Sequence, residues 1–225
     1  MTKLHIFDMD GTLLTGSACL EVSRHMGQID AVNLIEEAWG RGEVGHVEFY
    51  ELCLPLWEGL TAADIDEVFR VTPWLDGIEE VWRDIERRGE HSAVISLSPQ
   101  FFVDRLLPWG VVSAHGARVE AGLALDPTLV LTPEAKVVIL GQLMERYGIS
   151  EEDCVAYGDS ASDLPLFNRL RNTVAINGSE AIRAAAAARY DGSDLREAYA
   201  LGRALIDGTE PSAAPRGDQR AGTAR

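Results

Sequence analysis

The stretch KLHIFDMDGT, residues 3–12, decides the fold. Its apolar run, residues 3–7, is typical of a short buried strand, and the run ends at two acidic residues, Asp8 and Asp10. Similar runs recur at 92–95, 154–157 and 173–176, with helical patterns at 77–88 and 133–147 between them. This alternation predicts an α/β fold, a Rossmann-like doubly wound parallel sheet with helices on both faces.

Polar side chains follow three of these strands and open one of the helices. In chain order they are the motif DMDGTL at residues 8–13, Ser96, Lys136 and the motif GDSASD at residues 158–163. Ligands of open parallel sheets bind beyond the carboxyl ends of the strands. Taken alone, each feature is equally compatible with an ordinary turn, a strand-end hydroxyl or a solvated helix residue. Their common placement predicts one site at this edge of the sheet.

In this order and spacing, the motifs resemble those of the haloacid dehalogenase superfamily phosphatases. The resemblance spans residues 1–205, and the position of a helical insert resembles the phosphoserine-phosphatase-like branch. It implies an enzyme that hydrolyses phosphate monoesters through a phosphorylated Asp8. It also implies that Asp10 protonates the leaving group and contacts a metal ion through its backbone carbonyl.

The acidic residues themselves point to a cation. Asp8, Asp10 and Asp159 bring three anionic groups to strand ends, where their mutual repulsion calls for a positive ion. Oxygen ligands in an incompletely filled octahedron suit Mg²⁺, the predicted cofactor. Asp163, Thr12 and Ser160 are predicted to orient these ligands from the surrounding loops.

Binding of a phosphoryl group needs hydrogen-bond donors and positive charge next to Asp8. Ser96, Lys136 and the backbone N–H groups of Met9 and Leu97 are the predicted donors. Lys136 is also assigned a catalytic role, because it offsets the charge of phosphate and nucleophile together. With these partners, attack by Asp8 on phosphorus and proton transfer by Asp10 account for the whole constellation.

Between the first strand and its partner helix the strand signal disappears and short helical stretches replace it. We therefore predict a helical cap at residues 15–72, a catalytic core at 1–14 and 73–208, and a flexible tail at 209–225. Two local patterns complete the prediction: a strand with a small hairpin within residues 110–126, and a helix through the five alanines at 184–188.

The cap bears on the substrate. In phosphoserine phosphatases a cap glutamate binds the substrate amino group and a cap arginine binds its carboxylate; here these positions fall on Ser17 and near Leu54. Free phosphoserine is therefore disfavoured as substrate, unless residues elsewhere in the cap replace the anchors, the candidates being Glu21, Arg41 and Glu48. Four cap aromatics form either the cap's own core or a wall for an apolar or cationic leaving group: Trp39, Phe49, Tyr50 and Trp57.

Composition limits the partners. The formal net charge of −16 repels nucleic acid and anionic membrane surfaces, so we expect neither as partner and expect a small phosphorylated metabolite instead. The absence of a long apolar run or signal-like segment and three scattered cysteines favour a cytoplasmic protein. We expect a monomer or homodimer.

Two other functions fit the same residues. A phosphotransferase or mutase would pass the phosphoryl group from Asp8 to a second hydroxyl rather than to water. A non-catalytic, phosphate-binding regulatory protein would use the same scaffold without turnover, although none of the expected catalytic residues is missing.

Overall fold

A computed structural model of the protein describes residues 2–209. The strands in this part of the chain are β1 (Leu4–Phe7), β2 (His91–Pro99), β3 (Ser113–Ala117), β4 (Cys154–Gly158), β5 (Asn172–Ile176) and β6 (Ala188–Tyr190). They form one sheet in the order β3-β2-β1-β4-β5-β6, and every neighbouring pair is parallel. The predicted α/β class with a doubly wound parallel sheet is therefore confirmed.

The direction of winding changes at β1. This strand pairs with β2 on one side and with β4 on the other, so chain segments distant in sequence meet at its carboxyl end. A crevice at such a switch point is the usual ligand site of an open α/β sheet.

Ten α-helices accompany the sheet in the described residues: α1 (Ala18–His25), α2 (Ile29–Gly40), α3 (His46–Cys53), α4 (Ala62–Val71), α5 (Ile78–Arg87), α6 (Gln100–Val103), α7 (Pro133–Tyr147), α8 (Leu164–Arg169), α9 (Glu180–Ala185) and α10 (Leu195–Asp207). Short 3₁₀ helices cover Leu54–Trp57, Asp104–Trp109, Pro127–Leu129, Glu151–Asp153 and Ala161–Asp163. Helix α7 illustrates the local signals: Pro133 stands in its first turn, and Gly148 ends it with φ of 65°.

The core divides along the two faces of the sheet. In β1, Leu4 and Ile6 pack on the face covered by α7 and α8, while Phe7 belongs to the larger cluster beneath α5 and α10. This alternation follows from the two-residue period of a strand. Because both faces are covered, β1 is buried along its whole length, including the polar His5.

Helices α1 to α4 lie between β1 and α5, where the helical insert was predicted. Ser17 caps α1 by accepting a hydrogen bond from the backbone N–H of Leu20 at 3.1 Å. Thr61 and Asp64 form a capping box at the start of α4. Division of the chain into a cap at 15–72 and a core remains our proposed description of this arrangement.

Two local predictions hold only in part. The strand expected within residues 110–126 is present as β3, which pairs in parallel with β2, but no hairpin follows it, because residues 118–126 contain a turn at 121–122 and no strand. The alanine run does not stay helical: α9 ends at Ala185, and Ala188 begins β6, opposite Val174 of β5. Pairing with the sheet overrides the high helix propensity of alanine. The predicted tail lies outside the described residues, except for Thr209.

The three cysteines, Cys19, Cys53 and Cys154, are buried free thiols. Across residues 2–209, no helix combines the length and apolar character needed to cross a bilayer.

Candidate active site

The first loop of the site follows β1 directly. The backbone N–H of Asp8 donates to the Tyr157 carbonyl at 2.9 Å, which continues the pairing of β1 with β4. The chain then turns at Gly11, which has φ of 70°. A side chain at Gly11 would also collide with the Asp159 carboxylate. Glycine is thus required here twice, and the two acidic loops touch because of it.

Three carboxylates meet at this point. One oxygen each from Asp8, Asp159 and Asp163 lie within 4.8 Å of one another. Lys136, in the first turn of α7, is completely buried and reaches into the group: its Nζ lies 3.0 Å from Asp8 Oδ1 and 2.7 Å from Asp163 Oδ1. One ammonium therefore faces three acidic groups, and the cluster has an excess of negative charge.

This excess changes the pKa values of the site. Burial, together with the neighbouring Asp163, raises the pKa of Asp8 well above its usual range, although Lys136 acts in the opposite direction. The same two causes raise the pKa of Asp159 to about 7. Burial acts to lower the pKa of Lys136, but Asp163 and Asp8 raise it above its ordinary value, so the ammonium keeps its charge.

The donor set fits a hard divalent cation. Oδ1 of Asp159 is buried and has no hydrogen-bond partner within the described residues, an unfavourable state for a carboxylate oxygen unless a ligand satisfies it. Carboxylate oxygens around a site with surplus negative charge are the ligands that Mg²⁺ uses. Asp163 is more strongly engaged by protein groups: Oδ1 binds Lys136, and Oδ2 accepts from the backbone N–H of Asp159 at 3.1 Å.

Asp10 points away from this cluster, into a pocket of hydrogen-bond donors. Its Oδ1 accepts from the backbone N–H of Ala18 at 2.7 Å, and its Oδ2 accepts from the hydroxyls of Ser96 at 2.9 Å and Ser98 at 2.7 Å. Burial raises the pKa of Asp10, although these hydrogen bonds act in the opposite direction. A carboxyl group held this firmly, with a raised pKa, is suited to carrying a proton.

The other predicted residues have different surroundings. Ser96 is fully buried, and its hydroxyl is engaged by Asp10 and by the N–H of Ser98. Met9 is buried in the core. The hydroxyl of Thr12, which is predicted to orient the ligands, is buried and makes no hydrogen bond among the described residues. Ser160 forms a capping box with Asp163. The phosphate contacts assigned to Ser96 and to the N–H groups of Met9 and Leu97 remain predictions.

Two hydroxyl residues of the site were missed. Ser98 binds Asp10, and the Ser162 hydroxyl lies 3.4 Å from Lys136 Nζ. Both follow a predicted residue by two positions, but a lone serine at a strand end or in a loop carries no distinguishing sequence signal.

Comparison with known proteins identifies the family of the chain. The model of the haloacid dehalogenase-like hydrolase family matches residues 6–168. The chain belongs to this family. The match includes the loops of Asp8 and Asp159 and the buried Lys136, so the resemblance predicted from the motifs is confirmed.

Relatives of this hydrolase include phosphoserine phosphatases. That of Methanocaldococcus jannaschii is 27% identical over 201 residues, covering 87% of this chain and 95% of that protein. That of Archaeoglobus fulgidus is 29% identical over 200 residues, and there the match spans only 57% of the relative's length. A solved phosphoserine phosphatase carrying a phospho-aspartyl intermediate analogue superposes with a TM-score of 0.74 at 25% identity, covering 87% of this chain and 96% of that one. These comparisons confirm the predicted enzyme class, a phosphatase.

A cavity of about 530 Å³ lies over the acidic residues of this family member, between the strand ends and the cap helices. Its floor includes Asp8, Asp10 and Asp159. Its cap side is lined by Ser17, Cys19, Leu20, Asn33, Glu36, Trp39, His46, Phe49 and Tyr50. The size suits a small molecule, and none of the lining residues is a lysine or arginine.

The cap residues proposed as replacement anchors lie elsewhere. Glu21 pairs with Arg24 at 3.2 Å, and Arg41 pairs with Glu43 at 2.8 Å on the exposed surface. Neither they nor Glu48 line the cavity, and Leu54 does not border it either. The suggestion that these residues replace the missing anchors is therefore wrong. The acidic side chain that the cap contributes to the cavity wall is Glu36 of α2.

Proposed function

We propose that this hydrolase is a Mg²⁺-dependent phosphatase of small phosphate monoesters, with Asp8 as the nucleophile that becomes phosphorylated. The observation that carries the proposal is the contact of Lys136 with Asp8, inside a carboxylate cluster at the floor of the cavity. Phosphoryl transfer needs an anionic nucleophile next to positive charge that stabilises the phosphoryl oxygens. Both requirements meet at Asp8.

We assign three groups to the metal: the carboxylates of Asp8 and Asp159 and the backbone carbonyl of Asp10. Asp163 fixes the loop that carries Asp159, and Lys136 contacts both Asp8 and Asp163. When bound, Mg²⁺ supplies positive charge that offsets the phosphate and keeps the carboxylates of the site ionised. The pKa of Asp8, raised by burial and by the neighbouring Asp163, supports this assignment, because a cation next to the nucleophile would favour its ionised form.

The reaction then needs two transfers. An oxygen of Asp8 attacks phosphorus and the bond from phosphorus to the leaving oxygen breaks, while Asp10 gives its proton to that oxygen. Asp10, now ionised, takes a proton from the water that attacks the phosphorylated Asp8, and phosphate leaves. The donors Ser96, Ser98 and the Ala18 N–H hold Asp10 in place through both steps.

The relatives support the covalent route and leave the substrate open. A phospho-aspartyl analogue bound to a phosphoserine phosphatase of the same fold is consistent with phosphorylation of Asp8 here. Those proteins are named for phosphoserine, whereas the cavity of this chain has no arginine or lysine to hold a substrate carboxylate. We place the enzyme in the cytoplasm, acting on a small metabolite as monomer or homodimer.

The test is phosphate release from an aryl phosphate with Mg²⁺ and with excess chelator, for the wild type and for Asp8→Asn. Chelation should abolish turnover, and Asp8→Asn should reduce it by about a thousandfold or more, because the amide is not a nucleophile. Asp30→Asn, the same change at an exposed position, is the matched control and should keep full activity.

Acid stability alone does not identify a phosphorylated aspartate. The phosphorylated protein is therefore trapped by rapid quenching, the phosphoryl label is detected by mass, and the sample is treated with hydroxylamine, which cleaves acyl phosphates. Loss of label in the wild type and no label in Asp8→Asn are expected. Near-normal turnover by a folded Asp8→Asn protein, or full activity in chelator, would refute the proposal.

A further inference from the structure

Glu36 is an acidic residue without a cationic partner in the cavity wall. It lies in the third turn of α2, and its Oε1 accepts a hydrogen bond from the Ser17 hydroxyl at 2.6 Å. Within residues 2–209 this is its only hydrogen bond, and no lysine, arginine or histidine forms an ion pair with it. Burial raises the pKa of Glu36, with Asp10 adding to the effect, as expected for a carboxylate whose charge is not compensated.

Aromatic rings flank this carboxylate in the cavity. Trp39 follows Glu36 by three positions on α2 and therefore lies on the same side of the helix. The rings of Trp39 and Phe49 are 6.1 Å apart at an interplanar angle of 62°, and both residues line the cavity. Aromatic faces attract organic cations, so they reinforce the preference that a carboxylate creates.

The histidine on this side of the cavity, His46, adds no positive charge at neutral pH. Burial lowers the pKa of His46, which keeps the imidazole neutral there. Its Nε2 is buried and has no hydrogen-bond partner among the described residues, although the residue lines the cavity. The neutral imidazole of His46 can therefore form a hydrogen bond with a ligand without repelling a cation.

The position of Glu36 relative to Asp10 limits the length of the ligand. Ala18 donates its N–H to Asp10, and the adjacent Ser17 donates its hydroxyl to Glu36. Two consecutive residues therefore connect the proposed proton donor to this carboxylate. Since consecutive Cα atoms are about 3.8 Å apart, only a short carbon chain fits between the leaving oxygen and a group bound at Glu36.

We propose that Glu36, with Trp39 and Phe49, binds the ammonium group of a short amino-alcohol phosphate that carries no carboxylate. This substrate class rests on the proposed phosphatase function and specifies the leaving group. A carboxylate on the substrate would face Glu36 and the acidic floor without an arginine or lysine in the cavity wall, and it would lose its hydration without gaining a partner. A neutral alcohol would leave Glu36 unpaired.

The experiment compares kcat/KM for four small monoesters under the same Mg²⁺ concentration and pH: ethanolamine phosphate, choline phosphate, L-phosphoserine and glycerol phosphate, with an aryl phosphate as the reference. Ethanolamine or choline phosphate should exceed both phosphoserine and glycerol phosphate by about tenfold or more, the size of one hydrogen bond or contact to a charged group. A higher kcat/KM for ethanolamine phosphate indicates a site for an ammonium that donates hydrogen bonds, and a higher kcat/KM for choline phosphate indicates a site for a fully methylated ammonium.

Glu36→Gln tests the residue itself, because glutamine keeps an oxygen that accepts from Ser17 and removes only the charge. It should lower kcat/KM for the two amino-alcohol phosphates by about tenfold or more, mainly through KM, and change glycerol phosphate by less than about twofold. The matched control is Glu37→Gln, which neutralises the adjacent, exposed carboxylate 3.8 Å from Arg41 and should leave every substrate unchanged.

The outcomes separate the two proposals. No hydrolysis of any monoester, including the aryl phosphate, would overturn the phosphatase function. Hydrolysis of the aryl phosphate with phosphoserine or glycerol phosphate as the best of the four would overturn the amine subsite alone. An equal loss on all substrates in Glu36→Gln, with an unchanged melting temperature, would likewise overturn a selective contact at Glu36.

Discussion

Asp159 and Asp163 lie four positions apart on one loop, yet their carboxylates have opposite electrostatic environments. Asp163 is almost fully buried and bonds to the ammonium of Lys136, whereas an oxygen of Asp159 is buried without a partner among the described residues. Loss of one member of a buried ion pair is strongly destabilising, while removal of an uncompensated carboxylate is not. Substitution of the two residues by asparagine should therefore separate folding from metal binding.

We predict that Asp163→Asn lowers the free energy of unfolding by about 3 kcal/mol in metal-free protein, because Lys136 loses a buried partner. Asp159→Asn should leave the stability equal or higher by about 1 kcal/mol, yet weaken Mg²⁺ binding by about tenfold or more. Urea unfolding in chelator and calorimetric Mg²⁺ titration measure the two effects. Equal destabilisation by both substitutions would contradict this division of roles.

Individual residues of the site could be predicted from the sequence only where they belong to a recognisable motif. Asp8, Asp10 and Asp159 stand at strand ends within recognisable motifs, so their convergence could be expected. Glu36 could not, because it lies in an amphipathic helix where one more glutamate is ordinary, and only the packing of α2 against α1 brings it to Ser17. Ser98 was missed for the same reason: its partner Asp10 is distant in sequence.

Helix α3 connects the insert to the sheet through one buried hydroxyl. Tyr50 is 3% exposed, and its Oη donates to the Leu97 carbonyl at 2.6 Å. Leu97 belongs to the carboxyl end of β2, next to the serines that hold Asp10. This bond therefore fixes the cap helix to the floor of the cavity.

We predict that Tyr50→Phe lowers the free energy of unfolding by about 1 kcal/mol and kcat/KM by about fivefold, since one net hydrogen bond between α3 and the floor is lost. Amide hydrogen exchange in α3 should accelerate as the cap opens more often. The control is Tyr147→Phe, because the Tyr147 hydroxyl makes no hydrogen bond within residues 2–209 and its ring stacks on His91 instead. Equal effects of the two substitutions would contradict a specific role for the Tyr50 hydroxyl.

Elements were predictable where pattern and context agreed. Helix α7 was expected at 133–147 and occupies Pro133–Tyr147, because proline and glycine mark its ends and its apolar spacing is regular. The helix predicted through the alanine run ends early, because pairing of this segment with β5 outweighs the local preference of alanine for a helix. The hairpin shows the converse: the alternating pattern around Gly122 predicts a second strand after β3, but the chain turns there without forming one.

At the scale of the whole molecule, the parallel sheet with order β3-β2-β1-β4-β5-β6 explains why distant motifs meet. Parallel pairing of β1 with β2 and with β4 places the carboxyl ends of these three strands side by side, so the Asp8 loop, the Ser96 segment and the Asp159 loop share one edge of the sheet. Sequence patterns predict this arrangement because each strand is short and clearly bounded. They do not predict how the helices of the insert pack, which depends on side-chain fit among apolar faces.

The acidic floor also couples the stability of the entire protein to pH and metal. In the metal-free protein the pKa values of Asp8 and Asp159 are raised, that of Asp159 to about 7, so the folded state holds protons that the unfolded chain releases. Stability from such groups is present at low pH and is lost as pH rises through their folded pKa values. Burial lowers the pKa values of four histidines, which opposes this trend below about pH 7; they are His5, His46, His91 and His115.

We therefore predict that, in chelator, the free energy of unfolding falls by about 1 kcal/mol between pH 7 and pH 8.5, because the histidines are then largely neutral in both the folded and the unfolded state while the two carboxyl groups still lose protons. Saturating Mg²⁺ should remove or reverse this slope, since the cation keeps the carboxylates ionised in the folded state and stabilises it most where protons compete least. Urea unfolding at several pH values, with Mg²⁺ and with chelator, measures both slopes. Asp159→Asn should flatten the slope in chelator, while Asp30→Asn should not change it. A wild type whose stability in chelator rises from pH 7 to pH 8.5 would contradict the assignment, because the carboxylates would then be ionised without a cation.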